Sequence, residues 1–91
     1  MSVRRDGARL LLDGPVTLAT HTALRAEAAA LLGAGEWRID WSGVEAVDSS
    51  ALSLILHWQR EAAARGQRAV QDNLPAGVLA LAELYGVREF L

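Results

Sequence analysis

The side chains in this chain that could do chemistry are few. Asp48, Ser49 and Ser50 stand side by side, and His57 follows later in the same segment. A serine, a histidine and an aspartate are the parts of a nucleophilic triad. No Gly-x-Ser-x-Gly elbow is present, however, and Asp48 is the serine's chain neighbour rather than a distant group that could orient a histidine. His21 and His57 fall in different helical segments, with no cysteine and no paired acidic residue at ligand spacing, so no metal site is expected. Gly33-Ala34-Gly35 has only the first two glycines of a dinucleotide fingerprint, and it precedes a strand pattern rather than a helix. No Walker-type loop occurs, and the chain has no lysine to complete one. The expectation is therefore a protein with no catalytic residue and no cofactor.

The segment Val44-Glu45-Ala46-Val47-Asp48-Ser49-Ser50-Ala51-Leu52 is more informative. An acid and two hydroxyls arrive at the start of a long helical pattern, where free N–H groups need acceptors. Capping alone explains one of the three, with a contribution of about 0.5–2 kcal/mol. The turns that follow are nearly all apolar: Leu52, Leu54, Ile55 and Leu56 cover more than one core-facing stripe. That surplus predicts that the helix start meets another protein, with Asp48, Ser49, Ser50 and Leu52 as the contact residues.

The elements that must position this segment can be read from period and punctuation. Ser2 to Arg5 and Ala8 to Leu12 flank Asp6-Gly7, a two-residue hairpin turn in which both positions favour positive φ. Asp13-Gly14-Pro15 breaks the second run, and Val16 to Leu18 is a short extended exit. A helix follows, with Thr20 or Thr22 as its cap, Leu24, Ala28, Leu31 and Leu32 on one face, and Gly33 as its stop. Trp37, Ile39 and Trp41 alternate with Arg38 and Asp40, which is strand spacing, and two of these tryptophans share a face as core or interface bulk. The longest helix is expected from Ser49 to Arg65, closed by Gly66. Its inward stripe is Leu52, Ile55, Leu56, Ala62 and Ala63, with Leu54 and Trp58 as a second apolar line. A short strand over Arg68 to Gln71 leads through Asp72-Asn73-Leu74-Pro75 to a third helix carrying Val78, Leu81, Ala82 and Tyr85, and Gly86 ends it. Val87 to Leu91 is expected as a last edge strand. The fold class is α/β: a mixed sheet of four to five strands with three main helices, in the order ββαβαβα.

Bulk composition bounds the partners. The 91 residues carry a net charge of −2, are 52% hydrophobic and include no cysteine. One domain with one core is expected, since two cores of half this length would be too small to hold without staples. A disulfide framework and a cysteine nucleophile are excluded, as is disorder. Nucleic acid is not the expected partner, because neutralising phosphates takes a clustered positive field. Arg4, Arg5 and Arg9 make a small basic cluster, which reads as a solvated hairpin edge that discourages strand pairing. No run approaches the ~20 apolar residues that span a bilayer, and Met1 to Gly7 does not resemble a signal peptide, so a cytoplasmic location without membrane insertion is expected.

Trp37-Arg38-Ile39-Asp40-Trp41-Ser42-Gly43-Val44, followed by Val47-Asp48-Ser49-Ser50-Ala51-Leu52, resembles the STAS domain of sulphate transporters and anti-sigma factor antagonists. In that family a strand ending in an Asp-Leu-Ser-like turn leads to Asp-Ser/Thr-Ser/Gly-Gly-Leu at the head of a helix. The element order matches over essentially the whole chain. Leu54-Ile55-Leu56-His57-Trp58 and Leu81-Ala82-Glu83-Leu84-Tyr85-Gly86-Val87 are similar to the MlaB-like branch, the small cytoplasmic STAS subunits of phospholipid ABC transporters. The resemblance implies a binding protein, not an enzyme, that sits peripheral to the inner membrane through its complex. Its implied partner is the transporter's ATPase subunit, contacted at Ser49. In sigma-regulatory relatives the same position accepts a phosphate, which makes Ser49 the candidate phosphoacceptor and an anti-sigma factor kinase the alternative partner. Ala51 stands where the family often has glycine, and Trp41 where a smaller aliphatic residue is usual.

Overall fold

The hairpin forms one residue later than the Asp-Gly signal places it. In the computed structural model, which describes residues 2–7, 9–31 and 35–91, strand β1 (Ser2–Asp6) pairs antiparallel with β2 (Arg9–Asp13). Asp6 sits opposite Arg9, so Asp6 ends the strand instead of turning, while Gly7, at φ 61°, takes a left-handed conformation of the kind the turn signal implies. Ala8, the first residue of the expected second run, lies outside the described residues.

Three helices and two more strands follow. Helix α1 (His21–Leu31) leads to β3 (Trp37–Gly43), α2 (Ser49–Ala64) to β4 (Ala69–Asp72), and α3 (Ala76–Leu84) to a 3-10 turn over Arg88–Phe90. The expected last edge strand is therefore helical, which leaves β4 at the sheet edge. Among the described residues the sheet has four strands in the order β1-β2-β3-β4, with β2, β3 and β4 parallel. Parallel neighbours need crossovers, and α1 and α2 supply them. The helix stop expected at Gly33, and Leu32 before it, lie outside the described residues.

Register sorts the side chains between the two faces of the sheet. Leu10 pairs with Ile39 and Ile39 with Gln71, so these share one face, and Trp37 and Trp41 lie on it by alternation along β3. Leu10, Leu12, Trp37, Ile39 and Trp41 are all buried there, against Leu24 and Ala28 of α1, Ala51, Leu52, Leu54, Ile55, Trp58 and Ala62 of α2, and Val78 and Ala82 of α3. Arg9, Arg38, Asp40 and Asp72 occupy the other face. There Arg38 donates to Asp72 at 2.9 Å, and Arg9 lies 3.7 Å from Asp40. Asp40 is itself buried, and it accepts from the Ser42 amide and from Asn73. Those two donors, Asn73 first, hold its carboxyl below the usual carboxylate range.

The core differs from the expected helical stripe in one respect. In α2, Leu54 and Trp58 are buried while Leu56 is half-buried and Ala63 exposed. The line read as secondary is part of the core because α2 is flanked by α1 on one side and α3 on the other, as well as resting on the sheet. Tyr85, expected on the third helix at helical spacing with Val78, Leu81 and Ala82, lies past the helix end and is exposed.

One local distortion matters for the site. Leu11 pairs with Asp40 and Asp13 with Gly43, so β3 carries one residue more than β2 over that stretch, a bulge. At Gly43 a Cβ atom would lie 2.6 Å from the Leu12 carbonyl oxygen, which only a glycine permits. Gly43→Ala is accordingly expected to destabilise the fold by about 1–3 kcal/mol. The check is a lower urea midpoint at unchanged slope.

Candidate functional site

Beyond the bulge the two chains leave the sheet together. The Val16 amide donates to the Ala46 carbonyl at 2.8 Å, the Asp48 amide to the Val16 carbonyl at 3.3 Å, and Val16 and Val47 form a parallel bridge. This short extension of the β2–β3 ladder delivers Asp48 to the head of α2 and holds residues 16–18 beside it. Asp48 has extended backbone angles, and its Oδ1 accepts from the Ser50 amide at 2.8 Å, the geometry of a helix N-cap. Its other oxygen, Oδ2, accepts from the Leu18 amide at 2.9 Å. One carboxylate thus ties the β2–α1 loop to the helix start. The Leu18 and Ser50 N–H groups, in that order, hold the Asp48 carboxyl below the usual carboxylate range.

The β2–α1 loop has its own brace. Thr20 Oγ1 accepts from the Thr17 amide at 2.9 Å and donates to the Pro15 carbonyl at 2.9 Å. Thr20, one of two caps expected for α1, occupies the position before the helix, but its hydroxyl turns back into the loop. With the loop pinned at both ends, Leu18 is left pointing outward, 76% exposed. Nothing in the sequence marks Leu18: a single leucine in a three-residue exit has no period to betray which way it faces.

The four residues named from sequence separate in the structure. Ser49 is exposed at the first position of α2, and its hydroxyl makes no hydrogen bond among the described residues. Asp48 and Ser50 are half-buried and engaged in the cap. Leu52 is only 5% exposed and belongs to the core, as do Leu54 and Ile55. The apolar surplus that suggested an outward docking face is used within the molecule, so contact by the Leu52 side chain is not available at this surface. The exposed part of the helix start consists of Ser49 with Leu18 across the Asp48 bridge.

Topology adds an electrostatic feature. Because β2, β3 and β4 are parallel and each is followed by a helix, all three helices begin at the carboxyl edge of the sheet, where ligands of open α/β sheets bind. Their N-terminal ends carry partial positive charge. The start of α3 sits close to that of α2: a Cβ added to Gly77 would lie 2.9 Å from Val47 Cγ2. His57, a member of the hypothetical triad, is two turns further along α2, and its Nε2 lies 3.8 Å from Glu61. With the Asp48 carboxylate occupied by two backbone amides, the parts of a triad are present in composition but not joined. Among the described residues there is no cluster of three or more His, Cys, Asp or Glu side chains that could hold a metal.

A family model described as "Mlab, STAS domain" matches residues 1–91. The chain belongs to the STAS domain family. Solved structures share the fold. The anti-sigma factor antagonist SpoIIAA in its unphosphorylated form superposes with a TM-score of 0.66 at 18% identity, over 91% of this chain and 81% of that one. Mglu superposes with a TM-score of 0.61 at 23% identity, over 82% of this chain. This chain corresponds to only 19% of the length of Mglu, so the STAS-like part is a fraction of that protein. A second Mglu structure, in its native form, gives a TM-score of 0.56 at 21% identity. No curated protein sequence gives a match. The mixed four-stranded sheet with three helices is thus the STAS fold. Among the described residues no helix is long and apolar enough to cross a membrane.

Proposed function

We propose that this STAS domain is a non-catalytic accessory subunit of a phospholipid, Mla-type ABC transporter, binding the transporter's ATPase subunit on the cytoplasmic side through the head of α2. The observation that carries the reading is the exposed, unengaged Ser49 hydroxyl at the head of α2, with the exposed Leu18 tied to the same helix start through the Asp48 carboxylate. A small hydroxyl next to an apolar knob on a rigid helix end suits a protein contact that must exclude water. The family description, which names the Mlab branch, supports the choice of partner.

Ser49→Arg places a long cation in that contact and against the positive end of α2. A buried charge left without a partner costs about 2–5 kcal/mol in an interface, which lowers affinity by roughly 30-fold or more. Co-purification of a co-expressed Mla-type ATPase subunit should therefore be lost in Ser49→Arg while the variant remains folded. Retention at the wild-type level would overturn the assignment of the site.

A second reading, an anti-sigma factor antagonist switched by phosphorylation, draws on the same exposed Ser49 hydroxyl. A phosphate there would bring about −1.5 to −2 charges. The helix N-terminus favours such a charge, but a dry interface and the neighbouring Asp48 do not, so phosphorylation would release a partner. Incubation with a cognate kinase and ATP separates the two readings, since only this one requires labelling that disappears in Ser49→Ala.

A further inference from the structure

A second feature lies at the other end of the helix layer. Between α1 and α2 is a cleft of about 100 Å³, bordered by Arg25 and Ala29 of α1, His57 and Glu61 of α2, Arg65 at its C-cap, and Trp37 of β3. With a rise of 1.5 Å per residue, Glu61 is about 18 Å along α2 from Ser49, so the cleft is separate from the docking site above. Its floor is apolar, made by the buried indoles of Trp37 and Trp58. Its rim is cationic. The Arg65 guanidinium lies over the Trp37 ring, 5.4 Å from the centroid, which holds the charge in place at the cleft mouth. Neither Arg25 nor Arg65 forms an ion pair among the described residues, whereas Arg9, Arg38 and Arg88 each have a carboxylate partner.

We propose that this cleft binds a small oxyanion, a phosphate or a carboxylate, held between the Arg25 and Arg65 guanidiniums with the His57 imidazole beside it. Guanidinium forks match the oxygens of both groups, and such charge-assisted bonds are stronger where water is partly excluded. The void is large enough for one such ion. Ala29 keeps it open, since a longer side chain at that exposed position of α1 would project into it. Glu61 is the one acidic group on the rim and opposes the anion.

His57 supplies a readout. The charged groups acting on it are Arg25 from α1 and Glu61 and Arg60 from α2. Burial first, then Arg25, push its imidazole below the ordinary histidine value, while Glu61 pulls the other way. An anion between the arginines cancels part of their field and raises the His57 pKa. By reciprocity it then binds more tightly as pH falls and the imidazole takes up a proton.

The test is an NMR titration of the His57 ring signals with sodium phosphate and, separately, sodium acetate, against sodium chloride at matched ionic strength. Saturable shifts with either oxyanion, and a raised His57 pKa at saturation, are expected. The phosphate and acetate arms tell a tetrahedral from a planar ligand. Arg25→Gln should weaken binding by about tenfold, Ala29→Leu should abolish it by filling the void, and Glu61→Gln should tighten it. All three positions are on the surface of helices, and circular dichroism verifies that the variants are folded. Shifts that fail to saturate, that chloride reproduces, or that persist unchanged in Arg25→Gln and Ala29→Leu would overturn the proposal.

Discussion

Trp41→Ala is expected to lose about 3–5 kcal/mol of stability, the largest single effect in this molecule. Trp41 is fully buried on the central strand β3, with its ring edge-on to Trp58 of α2, centroids 6.3 Å apart and planes at 71°. Truncation removes this contact and opens a void between sheet and helix. It also removes the Nε1 donor to Gln71 Oε1, a bond of 2.7 Å. Gln71 Nε2 is already buried without a partner among the described residues, so the variant leaves both ends of that amide unsatisfied. In a domain whose whole stability is of the order of 5–15 kcal/mol, much of the population at 37 °C would be unfolded. Since about 1 kcal/mol moves the midpoint of a domain this size by 4–8 °C, thermal melting should drop by roughly 12 °C or more. Trp41→Phe is the milder variant. It keeps an aromatic ring against Trp58 but loses the Gln71 bond and the bulk of the fused second ring, so a smaller loss, near 1–3 kcal/mol, is expected. If Trp41→Ala melts within a few degrees of wild type, the packing described for the centre of the sheet is wrong.

The same strand shows what the sequence made legible. The alternation of Trp37, Ile39 and Trp41 with Arg38 and Asp40 identifies β3 and its buried face because one face of this sheet is covered by helices and the other is not. Asp40 breaks the pattern by being buried as well, which alternation cannot anticipate: its burial follows from Asn73 and Arg9, brought beside it by the strands on either side. That one of Asp48, Ser49 and Ser50 caps the helix is legible for a local reason, since free N–H groups follow at once, but which of them does so is decided by the Val16–Val47 bridge that delivers Asp48 to the helix head. The apolar surplus of Leu52, Leu54, Ile55 and Leu56 over one inward stripe predicts a partner-facing surface, yet all but the half-buried Leu56 are buried within the molecule. A helix resting on a sheet alone buries one stripe, but α2 is also flanked by α1 and α3, and nothing in the local period reports how many sides of a helix are covered. The tail departs from the expected edge strand for a related reason. Val87 and Leu91 are apolar and pack against the core from a 3-10 turn, without pairing with β4. Leu18 gave no signal because its exposure is imposed by the hydrogen bond of its amide to Asp48, thirty residues away in sequence, and by the Thr17–Thr20 and Thr20–Pro15 bonds that brace the loop around it.

That dependence makes Asp48→Ala the more telling variant for function. It removes the cap of α2 and the bridge to the Leu18 amide together, and a loss of about 2 kcal/mol is expected, discounted because the carboxylate is partly in water. The carboxyl is held below its unfolded value, so its contribution is complete above the usual carboxylate range and disappears as pH falls through its lowered folded value. The stability gap between wild type and Asp48→Ala should therefore be widest near neutral pH and close in acid. Measuring the difference isolates Asp48 from Asp40, whose carboxyl is lowered in the same direction in both proteins. The binding consequence is distinct from the thermal one. Releasing the β2–α1 loop lets Leu18 leave the helix start, so affinity for the proposed ATPase partner should fall although neither Leu18 nor Ser49 has changed. Leu18→Ser is the complementary variant: its side chain is exposed, so melting should be unaffected while affinity falls. Asp48→Ala that loses stability yet binds as wild type would mean that the loop has no part in docking, and that the contact rests on Ser49 and the helix end alone.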